Sequence, residues 1–382
     1  MNRRSLLGGA LAGGLLAATG GAPAYAGTTG AGQLPGLDPD ALDAAIDPLG
    51  DEVSGALVRV EGAAGRWHGR AGVAELGTAR PVPWNGRFRI GSMTKTFTAT
   101  AVLQLAAAGL VDVDAPLRRY LPDLLPEGYP GTVRQALDHT HGLRGAQIPS
   151  KDPEWFFQHR YDTFAPGSQV RWTDTPLFTP GERQQYSNAG YIVAGLVIER
   201  VTGRPYADAV RRGILRPLGL HATSLPGARF DIPGPHAHGY QRVTDGGRVR
   251  YVDVTRLNPT LQWAAAEMIS TTGDLDDFLV ALFGGRLLPR RQLDVMLTVP
   301  QAPTWAPGEK ADGTDATYSA GLTRFRFGGL EVWGKSGDRP GYNNGMGATL
   351  DLRRRLTYSV NTLNMGGEQP AVANRIIMAA LT

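Results

Sequence analysis

The sequence predicts an α+β fold: a mostly antiparallel sheet built from both ends of the chain and flanked by helices, with a central helical domain beside it. Three observations carry this. Strand-like alternation occupies 54–76 and returns only at 318–364. Helical periodicity dominates the stretch between. No segment repeats, so a solenoid or propeller is excluded. Strands at both ends and helices between them are joined most economically as a sheet of the two ends and a helical insert. The expected boundaries are 37–112 with 310–382 for the sheet domain, and 113–309 for the helical one.

Each element has its own signal. Helical pattern begins near Asp38. "SGALVRVEG" (54–62) and "RWHGRAGVAEL" (66–76) read as a hairpin with a glycine-containing turn. "FRIGS" (88–92) leads into the helix "MTKTFTATAVLQLAAAGL", stopped at Gly109. "VRQALDHTHGL", "AGYIVAGLVIERVTG" and "TGDLDDFLVALFGG" are the clearest central helices. The late strands are "YSAGLTRFRF" (318–327), "GLEVWGKSG" (329–337), "NGMGATLDL" (344–352) and "RLTYSVNTLN" (355–364), and "PAVANRIIMAALT" closes the chain as a helix.

Composition narrows the function classes. A formal charge of +4 without a basic, aromatic-laced run gives no nucleic-acid footprint. The absence of cysteine excludes disulfides, thiolate chemistry and Cys-ligated zinc. Residues 1–26 join Arg3–Arg4 to a Leu/Ala/Gly core and end in Ala24-Tyr25-Ala26, the pattern of a signal peptide cleaved near Ala26. The arginine pair suggests the twin-arginine route. The core is too short and glycine-rich to span a bilayer, so the expected product is secreted, without a stable membrane anchor, behind a polar linker at 27–36.

Lysine usage is the sharpest clue. The chain has 35 Arg but only Lys95, Lys151, Lys310 and Lys335. Gly329–Ser336 fits the phosphate-loop pattern G-x-x-x-x-G-K-[ST], but the residues between its glycines alternate like a strand. "GDRPGYNNG" then cannot start the helix that such a loop requires. Lys335 and Ser336 are placed instead at the end of a strand. Lys95 stands in the first turn of a helix, where a cation opposes the dipole by about 0.3–1 kcal/mol. Ser92 alone reads as an N-cap. Three residues apart, Ser92 and Lys95 fall on one helix face. Burial favours the neutral amine, which can take the serine proton and create a nucleophile; arginine cannot. Tyr186 and Asn188 follow a Pro-Gly turn and precede a helix, where a capping role is the alternative.

In chain order, S-x-x-K, Y-x-N and K-S-G resemble the three motifs of the penicillin-recognising serine hydrolases. The likeness is to class C β-lactamases and exported D-alanyl-D-alanine carboxypeptidases. "LDHTHGL" (137–143), "ILRPLGLHATS" (214–224) and "YSAGL" (318–322) are similar to further segments of that family. The resemblance spans the mature chain and implies a β-lactamase/transpeptidase-like fold. It also implies roles: Ser92 as nucleophile, Lys95 and Tyr186 as proton carriers, and Lys335 as the charge that lowers the Tyr186 pKa. Asn188, Ser336, Gly337 and Asp338 would contact substrate, with the N–H groups of Ser92 and Asp338 as oxyanion hole. This chemistry needs no metal or cofactor. The expected partner is a small peptide, ester or amide, a cell-wall D-peptide first of all, cleaved by carboxypeptidase action. An esterase, a D-amino-acid amidase or a β-lactamase is the alternative within the family. A non-catalytic sensor of cell-wall fragments is the alternative outside it.

Three positions depart from the family pattern. His141 replaces the usual serine of its turn and reads as a structural residue. Glu267 replaces a small residue and is either functional or a solvated loop acid. Asp338 places an acid beside the expected carboxylate pocket, where it would repel D-Ala-D-Ala and penicillin alike unless Arg339, Arg324 or Arg326 neutralises it. His236 and His238 are a candidate metal pair, but two ligands are too few.

Overall fold

The computed structural model describes residues 34–382 apart from 147, 150–151, 173–174, 246, 306–310, 328 and 365–368. The leader at 1–26 and linker residues 27–33 lie outside the described residues.

Six strands form the main sheet: β1 (Val53–Glu61), β2 (Trp67–Gly72), β3 (Thr323–Phe327), β4 (Leu330–Arg339), β5 (Tyr342–Ala348) and β6 (Arg355–Thr362). Their order is β2-β1-β6-β5-β4-β3, and every neighbouring pair is antiparallel. The β1–β6 pairing, Val58 opposite Tyr358, joins the two ends of the chain in mid-sheet. The fold is therefore the expected α+β sheet of both chain ends.

Helices cover both faces. On one lie α1 (Pro39–Ile46), begun by an Asp38 side chain that accepts from Ala41 N, and α5 (Ala371–Leu381). Leu42, Ile46, Val372 and Ile376 pack there on Val58, Val60 and Tyr358. On the other face a larger core gathers α2 (Thr94–Ala107), α3 (Ala189–Thr202) and α4 (Thr272–Phe283), with Phe97 stacked on Phe278 at 3.9 Å. Nearly every side chain from Thr94 to Leu103 is buried, so α2 is a central helix with no solvent stripe.

The helix read from "VRQALDHTHGL" stops at Leu137. His139 takes φ +66° and Gly142 φ +69°, conformations that no α-helix continues through. Lys335 and Ser336 do not end their strand; β4 runs on to Arg339 and turns tightly into β5 through Gly341 at φ +77°. A ladder through Gly334, Lys335 and Ser336 rules out the phosphate-loop geometry.

Candidate active site

Three elements meet at the motif residues. Ser92 lies in the turn Gly91–Met93, which runs directly into α2. The cap positions of the turn and of α2 fall on Ile90 and Met93, and Ser92 Oγ is hydrogen-bonded to Lys95 Nζ, so the N-cap alternative fails. Gly91 has φ +55°, and a Cβ there would sit 2.7 Å from Asp338 N. A Cβ at Gly337 would sit 1.9 Å from Ile90 O and 3.0 Å from Ser92 N. Only glycine at both points lets β4 run against the Ser92 turn, and this contact brings the backbone at Ser92 and Asp338 together. Asn344, fully buried, ties the junction by donating to Gly337 O (3.1 Å) and Arg89 O (2.9 Å).

Lys95 is completely buried. Its Nζ lies 3.1 Å from Ser92 Oγ, 2.7 Å from Asn188 Oδ1 and 3.0 Å from Ala265 O. Burial, then the charges of Lys335 and Arg339, hold its pKa well below that of a free lysine. A neutral amine has two N–H groups and one lone pair. The two carbonyl oxygens can only accept, so they take the N–H groups, and the lone pair is left facing the Ser92 hydroxyl. The geometry is that of a general base hydrogen-bonded to its nucleophile.

Asn188 occupies the position before α3, but its side chain does not cap the helix. Ser187 Oγ accepts from Ala189 N instead, which frees Asn188 to accept from Lys95 and to donate to Gln262 Oε1 (2.8 Å). Tyr186 lies with its hydroxyl buried and without a hydrogen bond of ordinary geometry. Burial raises its pKa, opposed by the neighbouring Ser92 hydroxyl. This corrects the expected lowering by Lys335. Lys335 Nζ sits over the ring face, 4.9 Å from its centre, where it meets the π-cloud. The phenol is therefore protonated at neutral pH and suited to give a proton, while Lys95 is suited to take one. Burial also depresses Lys335, to about 8, with Asp338 opposing.

The cavity beside Ser92 measures about 380 Å³. Tyr186, Asn188 and Lys335 line it, and Ser336 and Asp338 stand exposed at its edge while Gly337 is buried. Trp155, Phe156, Phe164 and Phe325 give it an aromatic wall. Asp338 Oδ1 accepts from Asn343 Nδ2 at 2.9 Å, its cross-strand neighbour. Among the described residues, no arginine forms an ion pair with Asp338. Arg326 lies 3.8 Å from Glu331, and Arg339 lines the cavity with Nε buried and unpartnered.

Other residues resolve more simply. His141 Nδ1 accepts from Leu143 N (2.8 Å), so it braces its own turn. Glu267 is not a solvated acid: it is 2% exposed, and burial raises its pKa to about 7. His238 pairs with Asp253 (2.7 Å) and His236 Nδ1 lies 2.8 Å from Gly234 O. Sequence reasoning missed Gln262, Asn344, the Ala265 carbonyl, and His139, whose ring packs 4.4 Å from Tyr186 and whose Nδ1 accepts from Ser187 N. Only His139 left a trace, inside "LDHTHGL".

Comparison with known proteins agrees with this geometry. The Beta-lactamase family model matches residues 42–380. Penicillin-binding protein 4* of Bacillus subtilis (strain 168) is 27% identical over 84% of this chain and 71% of its own length. Esterase EstB of Burkholderia gladioli is 33% identical over 42% of this chain and 45% of its own length. Among solved structures, a D-stereospecific amidohydrolase from Streptomyces sp. superposes with a TM-score of 0.75 at 34% identity, over 90% of this chain and 98% of that one. The D-amino acid amidase from Ochrobactrum anthropi SV3 superposes at 0.74 with 28% identity, over 89% and 97%. With the motifs, the fold and nearly the whole described chain in agreement, this protein belongs to the Beta-lactamase family of serine hydrolases.

Proposed function

We propose that this chain is an exported hydrolase that opens small amide or ester bonds through an acyl-enzyme on Ser92, and that its preferred substrates are D-amino-acid amides or esters with a free amine. Ser92 Oγ attacks the carbonyl as its proton passes to Lys95. The oxyanion forms against the N–H groups of Ser92 and Asp338, each worth about 10²–10³ in rate. The leaving group departs with a proton from Lys95 directly, or from the Tyr186 phenol, which Lys95 then re-protonates; either way Lys95 is neutral again. Water then attacks the ester of Ser92 and gives up a proton to Lys95, which returns it to Ser92 Oγ as the acid leaves.

Asp338 carries the choice of substrate. It is the only carboxylate among the described residues of the cavity wall, it stands at the edge, and no arginine pairs with it. A substrate carboxylate 4 Å away would be disfavoured by about 1–4 kcal/mol, and an ammonium group favoured by as much. The aromatic wall suits an apolar side chain, and the two structural neighbours described act on D-configured substrates by name. Carboxypeptidase action, the first expectation from sequence, stands second. Lys335 and Arg339 border the same cavity and supply the positive charge that a carboxylate needs.

Paired substrates separate the readings. D-phenylalanine amide should be cleaved at least ten-fold faster in kcat/KM than its N-acetyl derivative, and Asp338→Asn should abolish most of that preference. Faster release of D-alanine from an N-acylated D-Ala-D-Ala peptide would put the carboxypeptidase reading first. Export belongs to the same proposal: the protein recovered from culture medium should begin at Gly27.

The pH profile follows from the two lysines. Lys95 must be neutral to act as base, so kcat/KM should fall on the acid side through a pKa far below 10.5. Lys335 must be charged to stabilise the oxyanion and substrate, so an alkaline limb should appear near pH 8. A flat profile from pH 6 to 10 would contradict these roles.

A further inference from the structure

We infer that Gln262 is a positioning residue that keeps Lys95 armed as the base, acting through the Asn188 amide. The inference rests on the Ser92–Lys95 nucleophile reading and is independent of the substrate class. Gln262 is 7% exposed and lies on the cavity wall, at the junction between the turn Pro259–Leu261 and the short helix Trp263–Ala266. The same segment reaches Lys95 twice. Ala265 O accepts from Nζ directly (3.0 Å), and Gln262 Oε1 accepts from Asn188 Nδ2 (2.8 Å), whose Oδ1 accepts from Nζ (2.7 Å).

The orientation of Asn188 decides what the Lys95 lone pair faces. With Oδ1 toward Nζ, both amine N–H groups are consumed by acceptors and the lone pair is left for Ser92. With the amide turned over, Nδ2 would present an N–H to that lone pair and compete with the serine hydroxyl for it. An amide in isolation has no reason to prefer the first arrangement strongly. Gln262 Oε1 supplies the reason while Gln262 keeps its own orientation, since turning Asn188 over alone would set two carbonyl oxygens against each other in a buried space and leave an acceptor unmet. Trp263 follows with φ +32°, a conformation uncommon for any side chain but glycine, and this bend lies between the two residues that serve Lys95. Among the described residues, Gln262 Nε2 has no hydrogen-bond partner, so its donor edge is available to the cavity. A substrate carbonyl that accepted there would fix Gln262, and through it Asn188, in the arming orientation.

The test is a double-mutant cycle read by the labelling rate of Ser92 with a fluorophosphonate probe, followed by intact mass. Gln262→Met keeps the volume and removes the acceptor. It should slow labelling about 10–100-fold, up to the lower end of the ~10²–10⁴-fold that general-base assistance is worth, and should move the acid limb of the rate–pH profile. Asn188→Ala should also slow labelling, and adding Gln262→Met to it should cost less than a further two-fold. Equal losses from Gln262→Met in both backgrounds, or no loss in either, would overturn the inference. Melting curves on every variant separate unfolding from disarming, and Gln262→Glu, which retains an acceptor for Asn188, should recover most of the labelling rate in folded protein when read above the acid limb, which the added carboxylate moves to higher pH. Its failure to do so would also count against the role. A wild-type protein that the probe never labels at Ser92 would defeat the proposed function itself; a labelled wild type with an indifferent Gln262→Met would defeat only this inference.

Discussion

Lys95→Arg should lower the acylation rate by about 10²–10⁴-fold, measured on protein that melting curves show to be folded. The position is unusually demanding. Its Nζ has a hydroxyl on one side and two carbonyl oxygens on the others, all within 3.1 Å, in a space closed to solvent. Lysine there holds its proton less tightly than a free lysine, because burial and two nearby cations disfavour the ammonium form. Arginine keeps its charge under almost any burial and has no lone pair to offer. The substitution puts a permanent cation where the base must be neutral, so it removes the basicity of Lys95 and leaves only a charge. Pre-steady-state acylation with an activated ester measures the effect. A loss below ten-fold would mean that Lys95 serves only as a cation.

Gly337→Ala should cost about 10²-fold in kcat, and overpacking should destabilise the fold by about 1–3 kcal/mol. The added methyl would stand 1.9 Å from Ile90 O, far inside contact distance, and 3.0 Å from Ser92 N. Neither neighbour is a flexible side chain: both are backbone atoms in the turn that carries the nucleophile. Relief requires β4 to move away from Ser92, which separates the two N–H groups meant to hold the oxyanion. Gly36→Ala serves as a control, since a methyl there meets nothing within 4 Å. Steady-state kinetics and thermal melting of both variants check the claim. An active, equally stable Gly337→Ala protein would show that the strand has more room than this packing allows.

How much of this was legible in the sequence depended on whether a side chain or a backbone group does the work. That Ser92, Lys95 and Lys335 would meet was readable because lysine is rare here and Ser92 and Lys95 lie one turn apart, while Tyr186 and Asn188 stood out only through the order of the three motifs. The Ala265 carbonyl was unreadable, since any residue carries one. Gln262 and Asn344 act through contacts with residues 74 and 255 positions away, and no local pattern records such pairs. The sheet of both chain ends was legible because alternation is local and strong. The early end of the helix after Val133 was not, because its apolar spacing continues past the point where His139 turns left-handed. The direction of the Tyr186 shift was misjudged for a related reason. The charge of Lys335 was foreseeable, but whether it would face the phenol oxygen or the ring was a matter of packing.

The central claim is that Ser92 carries the acyl group. Rapid quenching of the protein with a D-phenylalanine p-nitrophenyl ester, followed by intact mass and peptide mapping, tests it most directly. One transient phenylalanyl adduct should appear on the peptide containing Ser92 and be absent from Ser92→Ala. An adduct on another residue, or undiminished ester cleavage by Ser92→Ala, would contradict it.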